Sequence, residues 1–141
     1  MTAFLPIPAS DARLVAELQA AGLPTADLAN HNAEFYALGQ VEPVAFGGLI
    51  GWGQVGLLRS LVVTQAARGT GQGRALLDRL VGRARSRGIR DLWLLTDSAE
   101  TFFAANGFTR RLRDDAPVQV RQTEQFAALC PASAALMHRA I

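Results

Sequence analysis

The chain contains no lysine, a single cysteine and two histidines among its 141 residues. Without lysine there can be no GxxxxGK phosphate loop, which excludes the nucleotide hydrolases that depend on that lysine. The lone Cys130 cannot form an internal disulfide and fits a reducing environment. His31 and His138 lie far apart in the sequence, so no metal-ligand spacing is present and we expect no metal.

Long apolar runs are also missing. No stretch reaches the roughly 20 apolar residues that cross a bilayer, and the N-terminus lacks the basic and apolar regions of a signal peptide. The net charge is only +2, from 14 arginines and 12 acidic residues, so we expect no nucleic-acid partner. Half of the residues are apolar, which suits one domain over residues 1–141. These features predict a soluble, cytoplasmic domain with no membrane partner.

The most informative stretch runs from Val55 to Leu80. An apolar strand, VGLLRSLVV, precedes a glycine-rich loop, and a helix with an apolar stripe follows. Glycines allow positive φ angles that aim several backbone N–H groups at one point, and the helix N-terminus adds its positive dipole end. The stretch therefore predicts a cradle for a phosphate group, with a ligand-free tight turn as the alternative. The cradle residues are Arg68, Gly69, Thr70, Gly71, Gln72, Gly73 and Arg74.

The spacing within this loop resembles one family. Arg68, Gly71 and Gly73 match the pyrophosphate loop of the GNAT N-acetyltransferases, in which Arg or Gln is followed by two residues, Gly, one residue, and Gly or Ala. A second segment, AETFFAANGF at Ala99–Phe108, resembles the helix of that family in which two aromatic residues precede Gly-Phe. The two motifs come in the family's order, with a strand between them. The resemblance extends over nearly the whole chain.

Hydrophobic periodicity and turn residues predict the order of elements. Strands are expected at Phe4–Pro8, Glu34–Leu38, Pro43–Ile50, Val55–Val63, Asp91–Thr96, Phe108–Leu112 and Ala134–Ile141. Helices are expected from Ser10 or Asp11 to Ala21, over Thr25–Ala29, from Gly71 to Gly88, and over Ser98–Asn106. The helix after the loop should bury Leu76, Leu77, Leu80, Val81 and Ala84.

These elements predict a mixed α/β fold (α+β), with a central sheet of six or seven strands and about four helices. Strict alternation along 55–63 would place Leu57, Arg59, Leu61 and Val63 on one face of the sheet. Asp97 and Glu100 have the spacing of a capping box for the last helix. The family resemblance further implies that the strands at 55–63 and 91–96 splay apart.

The resemblance implies acetyl-CoA as the cosubstrate and direct transfer to an amine in a ternary complex. The loop would hold the pyrophosphate, and the backbone of Leu61, Val62 and Val63 would pair with the pantetheine arm like an added strand. The N–H of Val63 would then stabilise the developing oxyanion, and Asn106 would flank the cofactor. Family members often dimerise, so a homodimer is an expectation.

Two positions depart from the family pattern. Phe103 stands where many members have a tyrosine acid, and Arg59 stands where many have an acidic strand residue. An arginine cannot serve as a base, but its fork suits a carboxylate or phosphonate, so Arg59 predicts an anionic acceptor; a solvent-facing arginine is the alternative. The base is unassigned among Glu34, Glu42, Glu124, His31 and Tyr36, with Glu124 favoured. Tyr36 and Thr123 are the other expected acceptor contacts.

The C-terminal segment resembles the arsenic-resistance (ArsN-type) acetyltransferases. The matching residues are Thr123, Gln125, Phe126, Leu129, Cys130, Pro131, Ser133 and Ala134. The acceptor implied is a small amino-acid-like amine, such as a toxic glutamate analogue. Two alternatives remain open: a biosynthetic glutamate or glutamine N-acetyltransferase, and a non-catalytic module that binds acyl-CoA. A lone cysteine does not make an arsenite site, and Cys130 is expected to be a packed core residue.

Overall fold

The computed structural model describes residues 3–129 and 133–141, so the predictions for Cys130 and Pro131 lie outside the described residues. The strands are β1 (Phe4–Ile7), β2 (Glu34–Leu38), β3 (Ala45–Trp52), β4 (Val55–Val63), β5 (Asp91–Thr96), β6 (Thr109–Arg111) and β7 (Ala135–Ala140). The helices are α1 (Ala12–Ala20), α2 (Gln72–Ser86), α3 (Glu100–Ala105) and the short α4 (Val118–Arg121). Tighter turns occur at Asn30–Asn32, Gln65–Ala67 and Arg113–Asp115, and a π-helical turn at Gln125–Leu129.

The strands form one sheet of seven, in the order β1-β2-β3-β4-β5-β7-β6. Every neighbouring pair is antiparallel except β4 and β5, which are parallel. The β4–β5 pairing covers only residues 55–57 against 91–93, and beyond it the two strands separate. The mixed sheet and its splayed centre confirm the fold class that the sequence predicted.

Helices cover both faces of the sheet. The five residues predicted as the α2 stripe are all buried, and they pack against β3 and β4 residues such as Leu49 and Leu58. On the opposite face, α1 buries Leu14 and Leu18 against Phe46. The same face continues over Ile50, where the segment after β6 packs through Val120. The hydrophobic core therefore lies in two layers, one on each face of the sheet. The gap where β4 and β5 separate lies between these two layers.

The alternation predicted for β4 is interrupted by a bulge. Phe46 pairs with Val62 and Gly48 pairs with Arg59, so two β4 residues oppose Gly47 alone. The extra residue reverses the face of the sheet to which each later β4 side chain points. Arg59 lies on the α1 face with Leu57, as predicted, but Leu61 and Val63 pack on the α2 face, which corrects that part of the prediction.

Helix ends agree with the sequence in one case and not in another. Asp11 caps α1, because its Oδ1 accepts the Leu14 N–H at 3.0 Å. At α3 the predicted Asp97 capping box is wrong: Thr96 Oγ1 accepts the Ala99 N–H at 3.0 Å, and the helix begins only at Glu100. Residues 26–29 form a turn, and the helix expected over Thr25–Ala29 does not occur. None of the helices in the described ranges is long and apolar enough to cross a membrane.

Candidate active site

A cleft of about 440 Å³ opens where β4 and β5 part. One wall is the end of α1 and the residues after it, from Ala21 to Pro24, and the opposite wall comes from the end of β5 and from α3. Leu58 to Val63 form the β4 side, which leads toward Arg68 and Gly73 of the glycine loop. The remaining lining residues are Leu76, Leu94, Leu95, Thr96, Asp97, Ser98, Ala99, Phe102, Phe103, Gln125 and Ala134.

The edge of β4 that faces this cleft has no strand beside it after residue 57. Thr64 donates its backbone N–H to Val44 O at 2.9 Å, on the β3 side. Because N–H groups alternate along a strand, the N–H of Val63 points to the other side, into the cleft, and so does that of Leu61. An extended ligand in the cleft can therefore pair with this edge.

The glycine loop has the backbone geometry of an anion cradle. Gly69 and Gly71 adopt φ angles of 77° and 81°, and a Cβ at either would meet nothing within 4 Å. Gly73 has no positive φ angle, so the positive φ angles expected of the loop glycines occur at two of the three. Gly73 instead allows close packing, since a Cβ there would lie 3.4 Å from the Phe102 ring. The first intrahelical bond of α2 runs from Ala75 N to Gly71 O, so the N–H groups of residues 71–74 precede the helical ladder.

Side chains also join the loop to the strand. Arg68 is exposed and donates its Nε–H to Val63 O at 3.2 Å, which ties the loop entrance to the end of β4. The Thr70 hydroxyl donates to Ala67 O and closes the turn before α2. Gln72 is half-buried and Arg74 is exposed at the helix N-terminus. The two arginines leave positive charge beside the cradle.

Arg59 is buried on the α1 face of the cleft. Its two terminal nitrogens donate to the two carboxylate oxygens of Asp27 at 2.8 Å each, and one of them also reaches Asp27 O at 3.3 Å. Its Nε–H donates to Ser60 Oγ at 3.0 Å. The Arg59 side chain has no exposed surface, so in this arrangement it offers none to an acceptor carboxylate.

Glu124, the favoured base, lies outside the cleft lining. Its carboxylate accepts from Asn30 Nδ2 at 3.2 Å and lies 3.0 Å from His31 Nε2. Its own backbone N–H, then His31 and Asn30, lower its pKa, which makes it a weaker base than an ordinary glutamate. His31 also meets the edge of the Trp52 ring. The structure thus brings together two of the proposed bases, but not at the cleft.

The other predicted contacts also lie outside the lining. The Tyr36 hydroxyl donates to Glu34 Oε2 at 2.7 Å on the α2 face, and burial followed by this bond raises the pKa of Tyr36. The Thr123 hydroxyl is buried and donates to Val120 O at 2.7 Å. Asn106 donates to Phe102 O at 2.8 Å and so stabilises the end of α3. Glu42 is exposed and pairs with Arg13.

The cleft contains polar residues that the sequence did not single out as a site. Ser60 and Gln125 line it, and so does Asp97, the one carboxylate among the described lining residues. The sequence predicts Asp97 as a helix cap, but α3 begins only at Glu100, so Asp97 does not cap it. Gln125 belongs to the C-terminal resemblance, which gave it no position in space. In the described part of the chain, no three His, Cys, Asp or Glu residues come together as a metal site.

Comparison with known proteins gives one family and several relatives. The acetyltransferase (GNAT) domain model matches residues 31–110. The amino-acid acetyltransferase of Ralstonia nicotianae is 37% identical over 68 residues, covering 48% of this chain and 15% of that protein. The amino-acid acetyltransferase of Mycobacterium tuberculosis is 35% identical over 75 residues, covering 48% of this chain and 42% of that protein. The chain thus matches less than half of the length of either relative.

A solved structure resembles the whole described fold. N-acetylglutamate synthase from Neisseria gonorrhoeae, complexed with coenzyme A and N-acetylglutamate, aligns with a TM-score of 0.82 and 21% identity. The alignment covers 99% of this chain and 35% of that one. At this level of identity the likeness shows the fold alone.

Proposed function

The chain belongs to the GNAT acetyltransferase family, and from this premise we propose that it transfers the acetyl group of acetyl-CoA to the amine of a small, amino-acid-like acceptor. The observation that supports this most strongly is the continuity of the cleft with the glycine loop. A ligand lying along the open edge of β4 would reach the N-terminus of α2 at one end and the space between β4 and β5 at the other.

The residues present fit the cosubstrate. When bound, acetyl-CoA supplies a thioester that an amine can attack. The N–H groups at the start of α2, with Arg68 and Arg74, would hold the pyrophosphate. The open backbone groups of Leu61 and Val63 would pair with the pantetheine arm, with Val62 between them facing the α1 side. The N–H of Val63 would donate to the carbonyl oxygen as charge develops on it.

The amine must reach the thioester unprotonated. Asp97 is the carboxylate that lines the cleft in the described chain, and we propose it as the proton acceptor, directly or through water. Glu124 stays an alternative that would act through a longer relay, since it lies outside the lining and its pKa is lowered.

Two observations bear on the acceptor. The similar enzymes of R. nicotianae and M. tuberculosis act on amino acids, as their names say, which favours an amino acid as acceptor, as in the biosynthetic alternative. The C-terminal resemblance to arsenic-resistance enzymes favours an arsenic- or phosphorus-containing glutamate analogue. Because Arg59 is held by Asp27, an acceptor carboxylate would depend on other donors, of which Thr96 and Gln125 line the cleft.

The test is free-thiol release from acetyl-CoA against a panel of amines, with acetyl-CoA binding measured in parallel. The panel contains glutamate, glutamine and phosphinothricin. Release with the phosphinic analogue but not with glutamate would support a resistance enzyme, and release with glutamate or glutamine would support the biosynthetic alternative. Binding of acetyl-CoA with no release for any amine would contradict the proposed activity and favour a non-catalytic module.

A further inference from the structure

Ser60 has an unusual backbone conformation for its position. Its φ angle is 58°, in the left-handed region that glycine favours, and it lies within a strand, at the β4 bulge. The other non-glycine residues with positive φ in the described chain, His31 and Asn32, lie in an exposed turn. A strained residue persists only where its surroundings hold it, and such residues concentrate at functional sites.

The surroundings of Ser60 fix its hydroxyl oxygen. Arg59 donates its Nε–H to Ser60 Oγ at 3.0 Å, and the remaining hydrogen bonds of the guanidinium are to Asp27. Arg59 cannot turn away, because its side chain is buried and Asp27 holds both terminal nitrogens. Gly48 makes room for this arrangement, since a Cβ there would lie 3.2 Å from Arg59 Cγ and 2.7 Å from the Phe35 ring.

The Ser60 hydroxyl therefore has one lone pair occupied by a cation, and its proton is directed elsewhere. A hydroxyl has one donor hydrogen and two acceptor lone pairs. No residue in the described ranges accepts a hydrogen bond from Ser60, although the side chain is only partly exposed and lines the cleft. A hydroxyl that accepts from a cation becomes a stronger donor, because hydrogen bonds in a chain polarise one another.

We propose that Ser60 is a catalytic hydrogen-bond donor, whose hydroxyl stabilises the negative charge that forms at the thioester as the amine attacks, with Arg59 as the positioning residue behind it. This inference rests on the proposed acetyl transfer. It supplies a donor on β4 at a site where the family's usual tyrosine is replaced by Phe103, which also lines the cleft but carries no hydroxyl. In this step the amine nitrogen bonds to the carbonyl carbon of the thioester, the C–S bond breaks and CoA leaves as the thiolate, while the amine proton passes to Asp97 as proposed above. The proton of Ser60 stays on its oxygen throughout, so no further reactant is needed.

Two variants separate the hydroxyl from the strain. Ser60→Gly and Ser60→Ala both remove the hydroxyl, but glycine accepts a φ angle of 58° without strain and alanine does not. Both variants leave the buried Arg59 Nε–H without its acceptor, which lowers the Tm, but in Ser60→Gly the relief of strain offsets this loss. We therefore expect the Tm of Ser60→Gly to stay closer to that of the wild type than the Tm of Ser60→Ala does. We expect both to reduce kcat by about 10- to 100-fold with the best acceptor of the panel, and to change the Kd for acetyl-CoA and the acceptor KM by less than about twofold.

The outcomes distinguish this inference from the proposed function. Wild-type turnover with an undiminished kcat in Ser60→Gly would overturn the role of Ser60 and leave acetyl transfer standing. A kcat that follows the Tm, low in Ser60→Ala and normal in Ser60→Gly, would assign Ser60 a structural role only and would also overturn it. Acetyl-CoA binding by the wild type without turnover on any amine would overturn the proposed function, and the catalytic role of Ser60 with it.

Discussion

Arg59 and Asp27 form a buried ion pair across 32 residues of sequence, with two hydrogen bonds of 2.8 Å and side chains that are 0% and 2% exposed. The pair joins β4 to the segment after α1, and that segment supplies the wall of the cleft from Ala21 to Pro24. The geometry of the wall therefore depends on a contact that lies beneath it.

Asp27→Ala is expected to destabilise the protein strongly, because it leaves the Arg59 charge buried without a partner. The expected loss in the free energy of unfolding is about 3 kcal/mol, measured by urea denaturation. The matched control is Glu42→Ala, which breaks the exposed Arg13–Glu42 pair and should cost no more than about 0.5 kcal/mol. Equal losses in the two variants would mean that the buried pair does not hold this wall in place.

Gly71→Val is expected to reduce the affinity for acetyl-CoA by about a hundredfold or more. A β-branched residue at a φ angle of 81° is strained, and its side chain would enter the open space of the cradle. Gly82→Ala is the control, because Gly82 lies within α2 with nothing within 4 Å of an added Cβ. It should raise stability by about 0.5–1 kcal/mol and leave binding unchanged. Titration calorimetry measures the affinity of both variants for acetyl-CoA. A wild-type affinity in Gly71→Val would refute the cradle.

Glu34→Gln should destabilise the protein near neutral pH and lose that effect in acid. The hydrogen bond from Arg83 is the main cause that lowers the pKa of Glu34 below 4.5, helped by Tyr36 and Arg87 and opposed by burial. A carboxylate with a lowered pKa stabilises the fold above its unfolded value and loses that contribution as the pH falls through its folded value. We expect the free energy of unfolding of Glu34→Gln to be lower than that of the wild type by about 1 kcal/mol at neutral pH, and this difference to narrow below pH 4.5. Urea denaturation at a series of pH values measures it. A difference that stays constant with pH would show that the Glu34 charge is not responsible.

Asp97→Asn and Glu124→Gln compare the two proposed bases. If Asp97 accepts the proton, its asparagine variant should lower kcat/KM for the acceptor by about 100-fold. Glu124→Gln should then change kcat/KM by less than about threefold, because its carboxylate lies outside the cleft lining. The opposite ranking would assign the base to Glu124 through a relay. Neither variant should alter the Kd for acetyl-CoA.

Much of the architecture could be predicted because it depends on local pattern. The strand over Glu34–Leu38, the strand over Val55–Val63 and the buried stripe of α2 follow from periodicity and occur as expected. Ser10 and Asp11 could be recognised as the two candidates for the cap of α1, because a cap needs only its own neighbours in the chain, and Asp11 is the one that caps it. Positive φ at Gly69 and Gly71 likewise follows from residue type.

The interior of the cleft could not be predicted in the same way. The bulge depends on a positive φ angle at Ser60, a residue type that gives no signal for one. The partner of Arg59 is distant in sequence, so its guanidinium looked free for an acceptor. The spacing of Asp97 and Glu100 fits a capping box, but in the structure Thr96 is the residue whose side chain accepts the N–H bond just before the helix. In each case the sequence offered the correct residue but not its partner in space.

The order of strands also determines where an extended segment can pair with the sheet. Pro6 lies in the outer strand β1 and Pro8 follows it, and neither has an N–H to offer a further strand. The other outer strand, β6, is only three residues long. Both borders therefore discourage aggregation between the sheets of two molecules, whereas an unpaired stretch of β4 backbone lies in the interior of the described sheet, between β4 and β5. An extended ligand narrow enough to enter the cleft can pair with this stretch.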